Sequence, residues 1–140
     1  MTEKYKILTE FAKDISYETP NVETYLETKE NIAKYKLNLD INSKPLKNQL
    51  IEVDINLKLQ DTNIERKKSN FEITYTAIAR VDNSIIDKKE IEKIILCKIP
   101  NEVFPRLEDL FISSIKKCGF LNLNIGRKVD FEKLYKENYN

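Results

Sequence analysis

The sequence predicts an α+β fold: a four-stranded antiparallel sheet with a long amphipathic helix and a short C-terminal helix on one face. Three observations lead there. Four segments up to Val81 place their apolar side chains on alternate positions, the period of a strand covered on one side. After Val81 the apolar spacing becomes that of a helix. The 140 residues are 41% hydrophobic and 34% charged with only 2 Gly and 4 Pro, a balance that supports a core and disfavours disorder or low-complexity linkers. A single domain over residues 1–140 is expected.

The elements run in order. Tyr5, Ile7, Phe11, Ile15 and Tyr17 fall on odd positions and define the first strand. Tyr35, Leu37, Leu39 and Ile41 define the second, Ile51, Val53, Ile55, Leu57 and Leu59 the third, and Phe71, Ile73, Tyr75, Ala77 and Ala79 the fourth. Successive strand side chains point to opposite faces, so each segment offers one apolar and one wet face. Residues 43–48 and 61–66 read as turns between sequential strands. Residues 19–32 are longer than an ordinary connection and keep Val22, Tyr25 and Leu26 among polar neighbours, which reads as a crossover segment.

Asp87 and Glu90 have the spacing of a capping box, opening a helix with Ile91, Ile94 and Ile95 on one face and a stop at Pro100. A second helix starts at the cap Asn101 and tolerates Pro105 early. It carries a stripe of Leu107, Leu110, Phe111, Ser114, Ile115 and Cys118 until Gly119. A last helix starts at Asp130 with Phe131, Leu134 and Tyr135 as its apolar side. With the stripe laid on the sheet, Phe104 and Ile112 are left on the far side of the long helix, which predicts self-association.

The composition removes most catalytic chemistry. There is no histidine, hence no Ser-His-Asp or Cys-His site and no imidazole zinc ligand. Cys97 and Cys118 form no CxxC pair and read as small buried apolar residues. The carboxylate pairs Asp14 and Glu18, Glu52 and Asp54, Glu90 and Glu92, and Glu108 and Asp109 fall on wet faces. Arg66, Lys67 and Lys68 read as a solubilising turn. No catalytic residue, metal or cofactor is expected, and the protein is read as a non-enzyme. Formal net charge is +1, too little for a chain-wide attraction to nucleic acid or membrane. The N-terminal MTEKYKIL lacks a signal-peptide core, and the apolar run at residues 94–97 is far short of the roughly 20 residues of a membrane span. A soluble, cytoplasmic protein is expected.

Several motifs carry a family resemblance. Lys13-Asp14-Ile15-Ser16-Tyr17-Glu18-Thr19-Pro20-Asn21 resembles the KDISFEAPN hallmark at the first strand of the SecB family of protein-export chaperones. Lys36-Leu37-Asn38-Leu39-Asp40 is similar to its second strand. Pro100 to Pro105 resembles the Pro-x-x-x-Phe-Pro opening of its long helix. Gly119-Phe120, Leu121, Leu123 and the run from Val129 to Tyr135 resemble its closing GF…L…PIDFxxLY segment.

The resemblance implies an ATP-independent holdase that keeps preproteins unfolded in the cytoplasm and hands them to the SecA motor. It implies a homotetramer, a dimer of dimers, with long helices sandwiched between eight-stranded sheets; Leu107, Phe111 and Ile115 are assigned to the interface between copies. Candidate client-groove walls are Val22, Tyr25, Leu26, Leu37, Leu39, Phe131, Leu134 and Tyr135. Asp14, Glu18 and Glu72 match the family's acidic patch for the cationic, zinc-binding tail of SecA. The alternatives are a SecB-like chaperone for one client, such as an antitoxin, and a small-ligand carrier using the same groove. The chain departs from the pattern in its near-neutral charge, in Arg106 where an aromatic is usual and in Glu108 where an arginine is usual. One extra residue falls in positions 124–128, and the end of the chain is not acidic.

Overall fold

The computed structural model describes residues 4–123 and 130–139, so the extra residue expected at 124–128 lies outside the described residues. Four strands, β1 (Tyr5–Glu18), β2 (Lys36–Pro45), β3 (Leu50–Gln60) and β4 (Asn70–Val81), form one antiparallel sheet in the order β1-β4-β3-β2. The helices are α1 (Val22–Asn31), α2 (Lys88–Lys93), α3 (Ile99–Lys117) and α4 (Phe131–Tyr139). The predicted fold class is the observed one. The connection between the first two strands crosses over, since β1 and β2 occupy opposite edges.

The inner face of the sheet alternates as the sequence demands. Val53, Ile55, Leu57 and Leu59 of β3 and Phe71, Ile73, Ala77 and Ala79 of β4 are buried. Against them α3 sets Ile99, Val103, Leu107, Phe111 and Ile115, all fully buried at a constant spacing of four residues. Leu107, Phe111 and Ile115 are therefore core of the single chain rather than surface offered to another copy, which corrects the interface assignment. The stripe is the most apolar surface of the helix, and the chain's own sheet is the nearest surface able to cover it. Phe104 is also covered, by Phe131 of α4 with ring centroids 5.4 Å apart, which leaves half-buried Ile112 as the residue on the outer side of α3.

Strand β1 breaks its own alternation. Its register against β4 slips between Ile7 and Thr9 and again between Ala12 and Asp14. Ile7, opposite Ala79, and Ile15, opposite Ile73, face inward, but Phe11 pairs with Thr76 and points outward, 44% exposed. Each bulge inserts one residue and inverts the parity of the residues beyond it, so only a second bulge restores it. The stretch between them turns Glu10 inward, opposite Ala77. There its carboxylate accepts hydrogen bonds from Arg106 Nε at 2.8 Å, from the second nitrogen of the same guanidinium, and from the Tyr75 hydroxyl at 3.0 Å. Arg106 above all holds the Glu10 carboxyl below the ordinary carboxylate range. The unusual Arg106 thus answers a carboxylate that only the bulge places beside α3.

The helical half also differs from expectation. Asp87 caps α2 through Lys89 N–H at 3.0 Å, while Glu90 does not complete the capping box but takes Lys4 Nζ at 2.8 Å. Pro100 does not end the helix, and Asn101 is not a cap. A π turn over Ile94–Lys98 joins α2 to α3, with the Ile99 N–H bonded to the carbonyl of Ile94 five residues back. The wide turn resets the ladder so that Pro100 enters α3 near its start, where the proline's missing N–H costs least. Cys97 lies buried in that turn, whereas Cys118, which closes α3, is exposed and not the buried residue expected. Asp130 caps α4 through the Lys133 N–H at 3.1 Å.

The β3–β4 connection is held by an ion pair. Arg66 donates to Asp61 through Nε at 2.7 Å and through its terminal nitrogen at 2.9 Å, and the Asn63 N–H adds a third bond at 3.0 Å. Arg66 chiefly, with Asn63 and the more distant Lys68 helping, holds the Asp61 carboxyl down at about 2, from an ordinary 3.8. A carboxyl lower in the folded than in the unfolded chain stabilises fully above its unfolded value, and that stability is lost as pH falls from about 4 to 2. In urea titrations Asp61→Asn is therefore expected to lie below the wild type at pH 6, with the gap closing towards pH 2. A gap independent of pH would contradict the assignment.

Candidate functional site

Two surfaces collect the residues singled out in the sequence. The first is the crossover, which is a helix and not a plain loop. Asn21 caps α1 by accepting the Thr24 N–H at 2.8 Å, a start signal present in the sequence although the helix it opens is built inside out. Its buried residues are Thr24 and Thr28, whereas Val22 and Leu26 are 72% and 54% exposed one turn apart. A search for an inward apolar stripe finds none here because the inward contacts are polar.

Those contacts form a buried hydroxyl network. Thr28 Oγ1 and Ser69 Oγ share a hydrogen bond of 2.8 Å, Thr19 Oγ1 reaches Ser69 Oγ at 2.7 Å, and the Tyr35 hydroxyl donates to Thr28 Oγ1 at 3.3 Å. The backbone N–H of Lys67 donates to Glu27 at 2.9 Å and its ammonium pairs with Glu23, tying the helix to the β3–β4 loop. Tyr25 fixes the other flank: its hydroxyl donates to the Gly119 carbonyl at 2.8 Å and its ring lies 5.2 Å from that of Phe120. Gly119 has φ +108°, and a Cβ there would stand 3.1 Å from the Tyr25 ring, so the end of α3 can close on α1 only through glycine. Polar and aromatic anchors thus hold α1 down while its aliphatic side chains face solvent.

The other candidate groove residues divide. Leu37 and Leu39 are half-buried on edge strand β2, and Leu134 is half-buried on α4. Phe131 and Tyr135 are buried, Phe131 against Phe104 and the Tyr135 hydroxyl donating to Glu92 at 2.9 Å. As the chain stands these two are core rather than groove wall, because α4 turns its apolar side onto the π turn and α3.

The second surface is the outer face of the sheet. Asp14, opposite Thr74, Glu18, opposite Asn70, and Glu72, opposite Ser16, all point outward and exposed or half-exposed. Glu72 faces the position midway between Asp14 and Glu18, so β1 and β4 bring the three carboxylates into one triangle. The second bulge puts Asp14 there, since without it the parity would turn this side chain inward. The Ser16 hydroxyl donates to Asp14 Oδ2 at 2.8 Å. Lys13, next to Asp14 in the chain, reaches instead to Glu52 at 2.6 Å and Asp54 at 3.4 Å. Among the described residues no cluster of Cys, Asp and Glu has the makings of a metal site, and no helix is long and apolar enough to cross a membrane.

A four-stranded sheet backed by one long helix, with an inside-out crossover helix over one end, defines a protein of SecB-like chaperone architecture. A Mycobacterium tuberculosis SecB-like chaperone, solved in complex with a peptide from an antitoxin, shares this fold with a TM-score of 0.59 at 10% identity, covering 89% of this chain and 91% of that one. The family model described as preprotein translocase subunit SecB matches residues 1–140, and the chain belongs to the SecB family. A Pelagibacter ubique (strain HTCC1062) relative named for protein-export protein SecB is 49% identical over 100% of both chains. The "Protein-export protein SecB 2" of Francisella tularensis subsp. novicida is 27% identical, covering 89% of this chain and 82% of its own. The protein is accordingly a chaperone of the protein-export type.

Proposed function

We propose that residues 1–140 act as one cytoplasmic, non-enzymatic holdase unit that binds unfolded preproteins without ATP and passes them to SecA. The observation that carries this reading is the inside-out helix α1, which presents Val22 and Leu26 to solvent, while Leu37 and Leu39 of an edge strand are only half-buried. An unfolded client supplies apolar side chains and unpaired backbone, and several weak apolar contacts along such a surface hold many sequences at once. A homotetramer fits the other edge: β1 leaves Leu8, Phe11 and Ile15 exposed, and edge-to-edge pairing of two such sheets gives eight strands. Asp14, Glu18 and Glu72 are the docking triangle for the cationic tail of SecA, where charge complementarity sets approach and orientation. The small-ligand reading has less support. The clefts of about 680 Å³ beside Glu10 and Arg106 and about 330 Å³ beside Glu18 and Glu72 are open and lined largely by charged and polar side chains.

The test is to dilute a denatured secretory preprotein into buffer with and without the protein, no ATP added, and follow refolding by fluorescence. Near-stoichiometric protein is expected to arrest refolding. Asp14→Asn with Glu18→Gln is expected to abolish SecA binding and leave the arrest intact. Unhindered refolding of several preproteins would remove the general export role and leave a dedicated client in its place.

A further inference from the structure

Glu72 does not stand free beside Asp14 and Glu18. Across the β3–β4 ladder its direct partner is Lys58, whose Nζ lies 3.7 Å from Glu72 Oε1. The second oxygen, Oε2, accepts a hydrogen bond of 2.9 Å from Asn56 Nδ2, and the same amide donates to Thr74 Oγ1 at 3.0 Å. Asn56 and Lys58 both belong to β3, on the side of Glu72 away from β1. Together they draw the carboxylate towards the centre of the sheet, away from the other two acids. Lys58 also lines the same cleft as Ser16, Glu18 and Glu72, so its ammonium occupies the ground an incoming cation would need. Lys13 does not play this part, because its ammonium is held by Glu52 and Asp54.

We propose that Lys58 is a built-in competitor for the outer-face carboxylates, setting the affinity and salt dependence with which this chaperone takes the cationic segment of its partner. Asn56 is the positioning residue: by fixing Oε2 it leaves Oε1 facing Lys58. A partner's lysine or arginine must displace the Lys58 ammonium before it gains Glu72, and both pairs are exposed enough for salt to screen them. The inference rests on the docking role proposed above for Asp14, Glu18 and Glu72.

The experiment measures binding of the zinc-loaded SecA tail peptide to the intact protein at low and high salt. Lys58→Met is expected to tighten binding about threefold to tenfold at low salt, mostly through a faster on-rate, and the gain is expected to vanish near 1 M salt, where the screening length is about 3 Å. Lys58→Arg keeps the competing cation and is expected to restore wild-type affinity. Lys44→Met, the same charge change beside Glu52 at the other end of the sheet, is expected to give no comparable gain. If Glu18→Gln weakens binding yet Lys58→Met behaves as Lys44→Met does, the competitor role is overturned and the docking triangle stands. If the peptide fails to bind, or binds regardless of Glu18→Gln, the docking triangle is wrong and the competitor falls with it.

Discussion

Phe111→Ala is expected to destabilise the chain by about 3–5 kcal/mol, read as a fall in the urea midpoint. Phe111 is fully buried at the middle of α3, in edge-to-face contact with Tyr17 at 6.1 Å. Tyr17 in turn meets Phe71 at 5.7 Å, Phe71 meets Phe120 at 5.3 Å, and Phe120 meets Tyr25 at 5.2 Å. This aromatic chain runs from α3 through both edge and inner strands to the crossover helix. Truncation at its head leaves a cavity among rings that cannot all move to fill it. A domain of ordinary stability has about 5–15 kcal/mol in all, so the loss takes a large fraction of it. The same experiment separates core from interface. A core residue unfolds the chain at every protein concentration, whereas an interface residue would dissociate the oligomer and leave a folded subunit. Ile112→Ala, on the outer side of the helix, is expected to cost no more than about 1.5 kcal/mol at high dilution.

Replacing both Val22 and Leu26 by Asp is expected to weaken client holding about tenfold or more while leaving the unfolding free energy from urea titration within about 1 kcal/mol of wild type. Neither side chain is packed against the sheet; the helix is held by Thr28, Ser69, Tyr35, Glu27 and Tyr25, none of which the variant touches. Each exposed aliphatic side chain that a client covers contributes on the order of 1.5–3 kcal/mol, and two carboxylates in their place add a desolvation cost. Preprotein arrest at rising chaperone concentration gives the shift directly. If arrest is unchanged at equal stability, α1 is not the client surface. A large fall in stability would show instead that the aliphatic pair is covered in the assembly.

How much of the fold and site was legible in the sequence depends on what periodicity measures. The odd-numbered apolar positions of β3 and β4 required a one-faced sheet, and the apolar stripe from Leu107 to Cys118 required an amphipathic helix lying on it. Asp87 and Asp130 marked two helix starts, and the motif around Asp14 to Asn21 pointed to the family. The crossover helix went unseen because a helix anchored by threonines has no inward apolar stripe to detect, although its Asn21 cap was readable.

By itself, then, the sequence determined the order of the four strands and the switch to helices after Val81, the paired faces of the central strands, and the outward side of Glu72. The tertiary structure alone decided which surface covers each apolar stripe. It sent Leu107, Phe111 and Ile115 into the core, buried Phe131 and Tyr135, and left Val22 and Leu26 in solvent. It also decided that Pro100 continues a helix through a π turn, and that two bulges turn Glu10 in and Phe11 out along one strand. The physical reason is the same throughout. Spacing along a chain fixes which side chains share a face, but whether that face is covered, and where a single inserted residue inverts it, depends on partners distant in sequence.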